Sequence, residues 1–129
     1  MILLWDSSTM TAQITLIADD GSKKSYDWEA GRTLARDMLA HLRDVLAEQS
    51  LTFADITGIG IHRGPGSYTG LRIGMTVLNT LASDKQIAVV GATGDTWQDD
   101  CLRRLAAGEN DQMVLPEYGG DANITKPRK

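Results

Sequence analysis

The residues with the most chemical promise cluster in one turn. Arg63-Gly64-Pro65-Gly66-Ser67-Tyr68-Thr69-Gly70-Leu71-Arg72 follows a short run rich in Ile and Gly, Ile56 to His62. It leads into an apolar helical pattern of Leu71, Ile73, Met75, Val77, Leu78 and Leu81. Gly64 and Gly66 permit backbone angles that side chains forbid, and Pro65 fixes its own φ between them. Ser67 stands at an N-cap position, where its hydroxyl can accept from the backbone N–H of Thr69 or Gly70. Such a turn either holds an anion at a helix N-terminus or sets a helix tightly against a sheet. Neither standard phosphate motif is met. Leu71, not Lys, follows Gly70, and the second gap between Gly64, Gly66 and Gly70 is too long for a dinucleotide fingerprint. Ser67 also lacks the flanking glycines of a nucleophile elbow, and capping accounts for it better. Arg63 and Arg72 bracket the turn. They fit either local pairing with carbonyls and carboxylates or contact with an anion or RNA.

The other candidates are sparser. Asp6-Ser7-Ser8-Thr9 offers a carboxylate and three hydroxyls, but no glycine to let a phosphate approach the backbone. Its structural reading is a polar turn whose Asp bonds to its own backbone. His41 and His62 have no Cys or carboxylate at ligand spacing, so no zinc site is expected. His41 fits a solvated helix face, and His62 a local packing or bonding role. Cys101 has Arg103 and Arg104 nearby, which could lower its pKa, yet packing is the usual fate of a single cysteine. Asp99, Asp100, Arg103 and Arg104 read as a solvated helix face with i,i+4 pairs.

These residues must be positioned by a regular alternation of elements. Met1 to Trp5 is an apolar run expected of a strand covered on both faces. Thr11 to Ala18 alternates, with Ala12, Ile14, Leu16 and Ala18 on one side. Lys23 to Trp28 returns after the turn Asp19-Asp20-Gly21-Ser22. Thr33 to Gln49 predicts a long helix whose apolar stripe is wider than one contact requires. A second helix is expected from Tyr68 to Ser83, with Gly70 and Gly74 four apart on one face. Small residues there would let another helix come close. Gln86 to Gly91 reads as a parallel strand and Thr96 to Ala107 as a third helix. After Gly108 the pattern stops. Residues 108–129 read as a tail, with a short strand at Met113 to Leu115 and a basic end, Lys126-Pro127-Arg128-Lys129. The expected architecture is one α/β domain over residues 1–107, a five-stranded mixed sheet with helices on its faces.

Composition sets further bounds. The chain has 129 residues, 42% apolar and 23% charged, which suits one globular domain. With a single Phe, the core must be mainly aliphatic. A net charge of −4 argues against this chain gripping nucleic acid alone, since phosphate binding needs clustered Lys and Arg. One cysteine excludes an internal disulfide and fits a reducing compartment. No apolar run reaches membrane-spanning length and no signal-peptide pattern opens the chain, so a cytoplasmic location is expected.

As a whole string, R-G-P-G-S-Y-T-G-L-R resembles the hallmark of the TsaB (YeaZ) family. Ile2-Leu3-Leu4-Trp5-Asp6-Ser7-Ser8-Thr9 resembles that family's first strand and loop, and the order of elements between them matches. The resemblance covers about residues 1 to 106. It implies an RNase H-like domain of the actin/Hsp70/sugar-kinase (ASKHA) type, of which the family usually has two. Leu115-Pro116-Glu117-Tyr118 resembles the family's C-terminal Pro-x-Tyr segment, as if most of the second subdomain were missing from the middle. It further implies a non-catalytic subunit that binds and activates TsaD in forming N6-threonylcarbamoyladenosine in tRNA. TsaE would be a further partner, tRNA would be met only through the complex, and no cofactor or metal would be held by this chain. In the family the two corresponding helices pair with those of TsaD or of a second copy. Carried over, that implicates Met38, Leu42, Val45, Gly70, Leu71, Gly74, Met75 and Leu78. Gly31-Arg32-Thr33 departs from the family, whose members often have a His there, so partner contacts can differ. By the same resemblance, Asp6 to Thr9 occupies the place of the first ASKHA phosphate loop, in degenerate form. Two alternatives stay open: a reduced ATPase or phosphotransferase using Asp6 and the Gly64–Gly66 turn, and a self-associating homodimeric module.

Overall fold

The structure is a computed structural model and describes residues 1–66 and 68–117, Tyr68 only by its place in a helix. Ser67, Tyr118 and the basic end 126–129 lie outside the described residues. The N-cap assigned to Ser67 and the Pro-x-Tyr segment therefore fall partly or wholly outside them.

Five strands form one sheet: β1 (Ile2–Asp6), β2 (Thr11–Ile17), β3 (Lys23–Glu29), β4 (Gly58–His62) and β5 (Ala88–Ala92). Their order is β3-β2-β1-β4-β5. The hairpin strands are antiparallel, with Trp5 opposite Ile14 and Tyr26 opposite Ile14 on the other side. β1, β4 and β5 are parallel, with Leu3 opposite Ile59 and Ile59 opposite Val89. Three helices cover the faces: α1 (Leu34–Glu48), α2 (Tyr68–Lys85) and α3 (Trp97–Ala106). This is the mixed α/β arrangement that the alternation of patterns predicts, with boundaries shifted by one or two residues.

Strand alternation sorts the core into two layers. Leu3, Trp5, Ile14, Ile59, Ile61 and Val89 point to the side of α1 and α2, where the larger cluster forms. Leu4, Ile17 and Val90 point to the other side, against Trp97 and Cys101 of α3. Each fully buried Leu, Ile or Val among these contributes on the order of 1.5–3 kcal/mol.

Both long helices end without glycine. Ser50 (φ 60) and Gln86 (φ 58) take the left-handed position instead. The chain then turns back so that Leu51 N donates to Leu46 O and Ile87 N to Ala82 O, at 2.9 and 3.0 Å. These bonds satisfy carbonyls that the helix ends would leave open.

The segment after α3 is not a loose tail over its described part. Residues 109–117 run back along β5, and Val114 is buried against α2. Asn79 Nδ2 donates to Val114 O and Val114 N donates to Asn79 Oδ1, each at 2.9 Å. Met113 to Leu115 forms no strand, in contrast to the expectation from its apolar residues, because side chains rather than a backbone ladder hold it. No helix among the described residues is long and apolar enough to cross a membrane.

Candidate functional site

The two loops singled out by their chemistry meet at the C-terminal ends of β1 and β4. Asp6 Oδ1 accepts from Ser8 N at 2.9 Å, the self-bonded turn that its position allows. Ser7 is buried, and its hydroxyl is fully engaged. It accepts from Trp5 Nε1 at 2.9 Å and donates to Gly70 O at 2.8 Å. Thr9 Oγ1 donates to Thr11 O at 3.0 Å. A Cβ at Gly66 would lie 2.5 Å from Ser8 Cβ and 2.5 Å from Ser8 O, so the Gly-rich turn packs directly on this loop. The Asp6 to Thr9 loop is thus taken up by protein groups that bond to one another.

The turn itself is fastened on both sides. Gly64 takes φ +105, which favours glycine, and the Gly64–Pro65 bond is cis. His62 Nδ1 accepts from Gly64 N at 2.9 Å, and its ring meets Trp97 edge-on with centroids 5.3 Å apart. Arg63 Nε donates to Leu115 O at 2.8 Å, and its guanidinium lies 3.8 Å from Glu117. Arg63 therefore pairs with a local carbonyl and a carboxylate. Thr69 and Arg72 lie on the exposed side of the first turns of α2.

The helix residues named for partner contact need correction as an exposed set. Met38, Leu42, Val45, Leu71, Met75 and Leu78 are at most 3% exposed and belong to the core. A Cβ at Gly74 would lie 2.3 Å from Trp5 Nε1 and 2.7 Å from Ser7 Oγ, so its missing side chain admits the sheet, not a second helix. Gly70 faces the same loop through its carbonyl. The reason is priority. An apolar stripe on a helix covers its own sheet before it can serve anything else.

The outer faces of α1 and α2 carry a different set. Between the helices runs a shallow groove with a cavity of about 360 Å³, lined by Leu39, Thr76, Val77, Thr80, Leu81 and Asp84. A second hollow of about 270 Å³, lined by Ala35, Arg72, Ile73, Thr76 and Val77, continues it toward the N-terminus of α2. Ile73 then joins it to a third, which includes Thr9, Met10 and Arg32. Leu39 is 50% exposed and Met10 64%. The sequence pattern misses this groove because Leu39 is one apolar residue among many on α1. Only the packing shows which ones are left over.

The remaining candidates are structural. Cys101 is buried, and desolvation pushes its thiol up to about 11; a backbone bond at Ile61 and the charge of Arg104 pull the other way without offsetting it. His41 does not lie free on a solvated face but stacks on Trp28, with ring centroids 4.2 Å apart. Arg103 pairs with Asp100 at i,i+3. Arg104 leaves the helix face and binds Glu109 and Asp111 instead of an i,i+4 partner. Among the described residues no group of His, Cys, Asp or Glu could hold a metal ion.

The sheet order, the crossover helices and the loop pair at the strand ends define an α/β domain of ASKHA type. A family model for TsaD, tRNA N6-adenosine threonylcarbamoyltransferase, matches residues 28–93, about half of the chain. The Escherichia coli tRNA threonylcarbamoyladenosine biosynthesis protein TsaB is 28% identical over 131 residues, spanning 95% of this chain and 56% of that protein. The Bacillus subtilis protein of the same name is 31% identical, spanning 68% of this chain and 38% of that protein. Among solved structures, YeaZ from Pseudomonas aeruginosa superposes with a TM-score of 0.65 at 30% identity, over 71% of this chain and 43% of that one. Another, an uncharacterized protein described as similar to peptidase YeaZ from Pseudomonas aeruginosa, gives a TM-score of 0.66 at 30% identity. The chain belongs to the TsaB (YeaZ) family. It spans about half the length of the curated relatives it matches.

Proposed function

We propose that this chain is a non-catalytic partner subunit in the formation of N6-threonylcarbamoyladenosine in tRNA. In this reading it engages TsaD in the cytoplasm through the outer groove of α1 and α2 and holds it in an active form. The observation that carries the proposal is that groove. The inner faces of both helices are spent on the sheet, and a continuous apolar seam from Met10 through Ile73 and Val77 to Leu39 and Leu81 remains outside. Helix pairs bury such seams against other helices. The names of the relatives supply the pathway, and the TsaD family model supplies a likeness between the two partners, suited to pairing like helices with like.

Chemistry, ATP and any metal then belong to TsaD, with TsaE as a further member. Ser7 and Gly66 support this division, because both are occupied by contacts within the chain. A reduced phosphotransferase would need that loop open. The net charge of −4 supports contact with tRNA through the complex rather than by this chain alone.

The test is size-exclusion chromatography with light scattering, on the chain alone and mixed with TsaD from the same genome, for the native sequence and Leu39→Arg. Leu39 is half exposed, so its substitution should leave the melting temperature nearly unchanged while placing a charge in the seam. A heteromeric peak that Leu39→Arg abolishes is the expected result. Two unchanged species in the native mixture would sink the proposal. A native chain that is already dimeric, becomes monomeric with Leu39→Arg, and ignores TsaD would favour the homodimeric module on the same face.

A further inference from the structure

The two edges of the sheet are protected in different ways. β3, at one edge, packs only Tyr26 and Trp28 against the core and otherwise exposes Lys23, Lys24, Asp27 and Glu29. Charges of this kind discourage another strand from pairing. β5, at the opposite edge, reads Ala-Val-Val-Gly-Ala and carries no charge, no polar side chain and no proline. By its sequence it is the hazardous edge of the molecule.

Its outward backbone groups are nonetheless all occupied. In a parallel strand alternate residues direct their N–H and C=O to each side, and at β5 the outward pair is Val89 and Gly91. Asn110 Oδ1 accepts from Val89 N at 3.1 Å, and Asp111 Oδ2 accepts from Gly91 N at 3.0 Å. Asp111 N donates to Val89 O at 2.8 Å, and an Arg104 Nη1 donates to Gly91 O at 2.8 Å. Arg104 also binds Glu109 and Asp111, which locks the set together. Three of these four bonds come from side chains. A Cβ at Gly91 would lie 2.5 Å from Val114 Cγ1 and 2.7 Å from Arg63 Cδ, so the segment also closes over the strand by contact.

We propose that residues 109–117 are a detachable guard, which takes the place of a sixth strand and keeps β5 from pairing with β5 of a second copy of this chain. The occupant follows from the composition of the edge. A strand without charge offers no complementarity to a charged partner strand. Antiparallel pairing with its own copy buries the same apolar residues on both sides in a two-fold, self-complementary contact. The guard is detachable over residues 109–112, where side chains on a short segment rather than a continuous ladder hold it to β5; beyond them Val114 stays anchored in the core and bonded to Asn79.

The test uses Asn110→Ala/Asp111→Ala in a Leu39→Arg background, so that association through the helix groove does not contribute. Light scattering over a concentration series should show monomer passing to dimer or larger species. Amide hydrogen exchange at Val89 and Gly91 should be about tenfold or more faster than native at the lowest concentration, and slow again in the assembled form. A monomer at every concentration would overturn the proposal, whether its two amides keep native protection or exchange fast without pairing. So would an assembly in which both amides stay fast. Gly91→Ala displaces the guard without removing a hydrogen-bonding group and should give the same behaviour. The unaltered chain supplies a check that needs no variant. The amides of Val89, Gly91 and Asp111 should exchange together and faster than those of Ile59 and Ile61; exchange in step with Ile59 and Ile61 would refute a detachable guard.

Discussion

Gly74→Ala is the sharpest probe of how this domain is assembled. Glycine inside a helix costs about 1 kcal/mol relative to alanine, so propensity alone predicts stabilisation of that size. The structure predicts the opposite. The new Cβ would fall 2.3 Å from Trp5 Nε1 and 2.7 Å from Ser7 Oγ, and neither can yield freely. Trp5 is fully buried in the strand beneath, and Ser7 is tied to Gly70 O. Overpacking of this sort costs about 1–3 kcal/mol. If Trp5 Nε1 is pushed off Ser7, a buried donor loses its acceptor at a cost of about 1–3 kcal/mol more. After the propensity gain, a net loss of about 2 kcal/mol is expected, a fall in melting temperature of about 10 °C for a domain of this size. Far-UV circular dichroism during heating and in urea measures it. The coupling can be isolated, because Trp5→Phe removes the N–H and shortens the side chain, and the cost of Gly74→Ala should shrink by about 1 kcal/mol or more in that background. Gly74→Ala as stable as the native chain, or more so, would refute the placement of α2 on β1. It would return Gly74 to the role of a helix-to-helix contact.

Two further outcomes test the electrostatics. Cys101, buried and with its thiol pushed up to about 11, should resist Ellman's reagent at pH 8 in the folded chain and react fully once urea unfolds it; rapid labelling of folded protein would contradict its place between α3 and the sheet. Burial acts to raise the pKa of Asp111, but hydrogen bonds from Arg104 and Gly91 N, with the charges of Arg104 and Arg63, outweigh it and hold the carboxyl below its ordinary 3.8. A depressed carboxyl stabilises the fold above its ordinary value and loses that contribution as pH falls through the lowered one. The amides of Val89 and Gly91 should therefore lose protection in acid below about pH 3.8 while those of Ile59 and Ile61 keep theirs; Asp111→Asn should remove the dependence.

The architecture was largely legible because it is written in local periods. Ala12, Ile14 and Leu16 alternate, Leu71, Met75 and Leu78 recur at helical spacing, and each pattern met the element it predicts. Orientation was not legible in the same way. Gly70 and Gly74 form a stripe of small residues whether a helix or a strand lies against them, and the deciding contact, Trp5 with Ser7, is more than sixty residues away (Ser7 to Gly70 spans 63 positions). The same limit hid Leu39, whose exposure depends on which neighbours on α1 the sheet has already taken. Residues 109–117 have no period at all, since Asn110 and Asp111 are ordered by backbone groups of β5 about twenty positions earlier. The Arg63–Gly66 turn lies between these cases. Its glycines announced a special backbone, but only the packing of Gly66 on Ser8 shows a structural joint at the place where an anion site was possible.

The two-layer core divides the chain optically. Trp5 lies in the layer between the sheet and α1/α2, Trp97 in the layer under α3, and Trp28 is half-buried at the seam of β3 and α1. These are the chain's three tryptophans, Trp5 and Trp28 in or against the α1/α2 layer and Trp97 in the α3 layer. Single-tryptophan variants would then report separately on each compartment during unfolding. A loosening of α3 would appear in the emission of Trp97 while Trp5 still registered an intact layer, and an event at the helix groove would reach Trp5 or Trp28 first. The sheet separates the two layers that these indoles report on, so the sequence already contains a probe for each side of it.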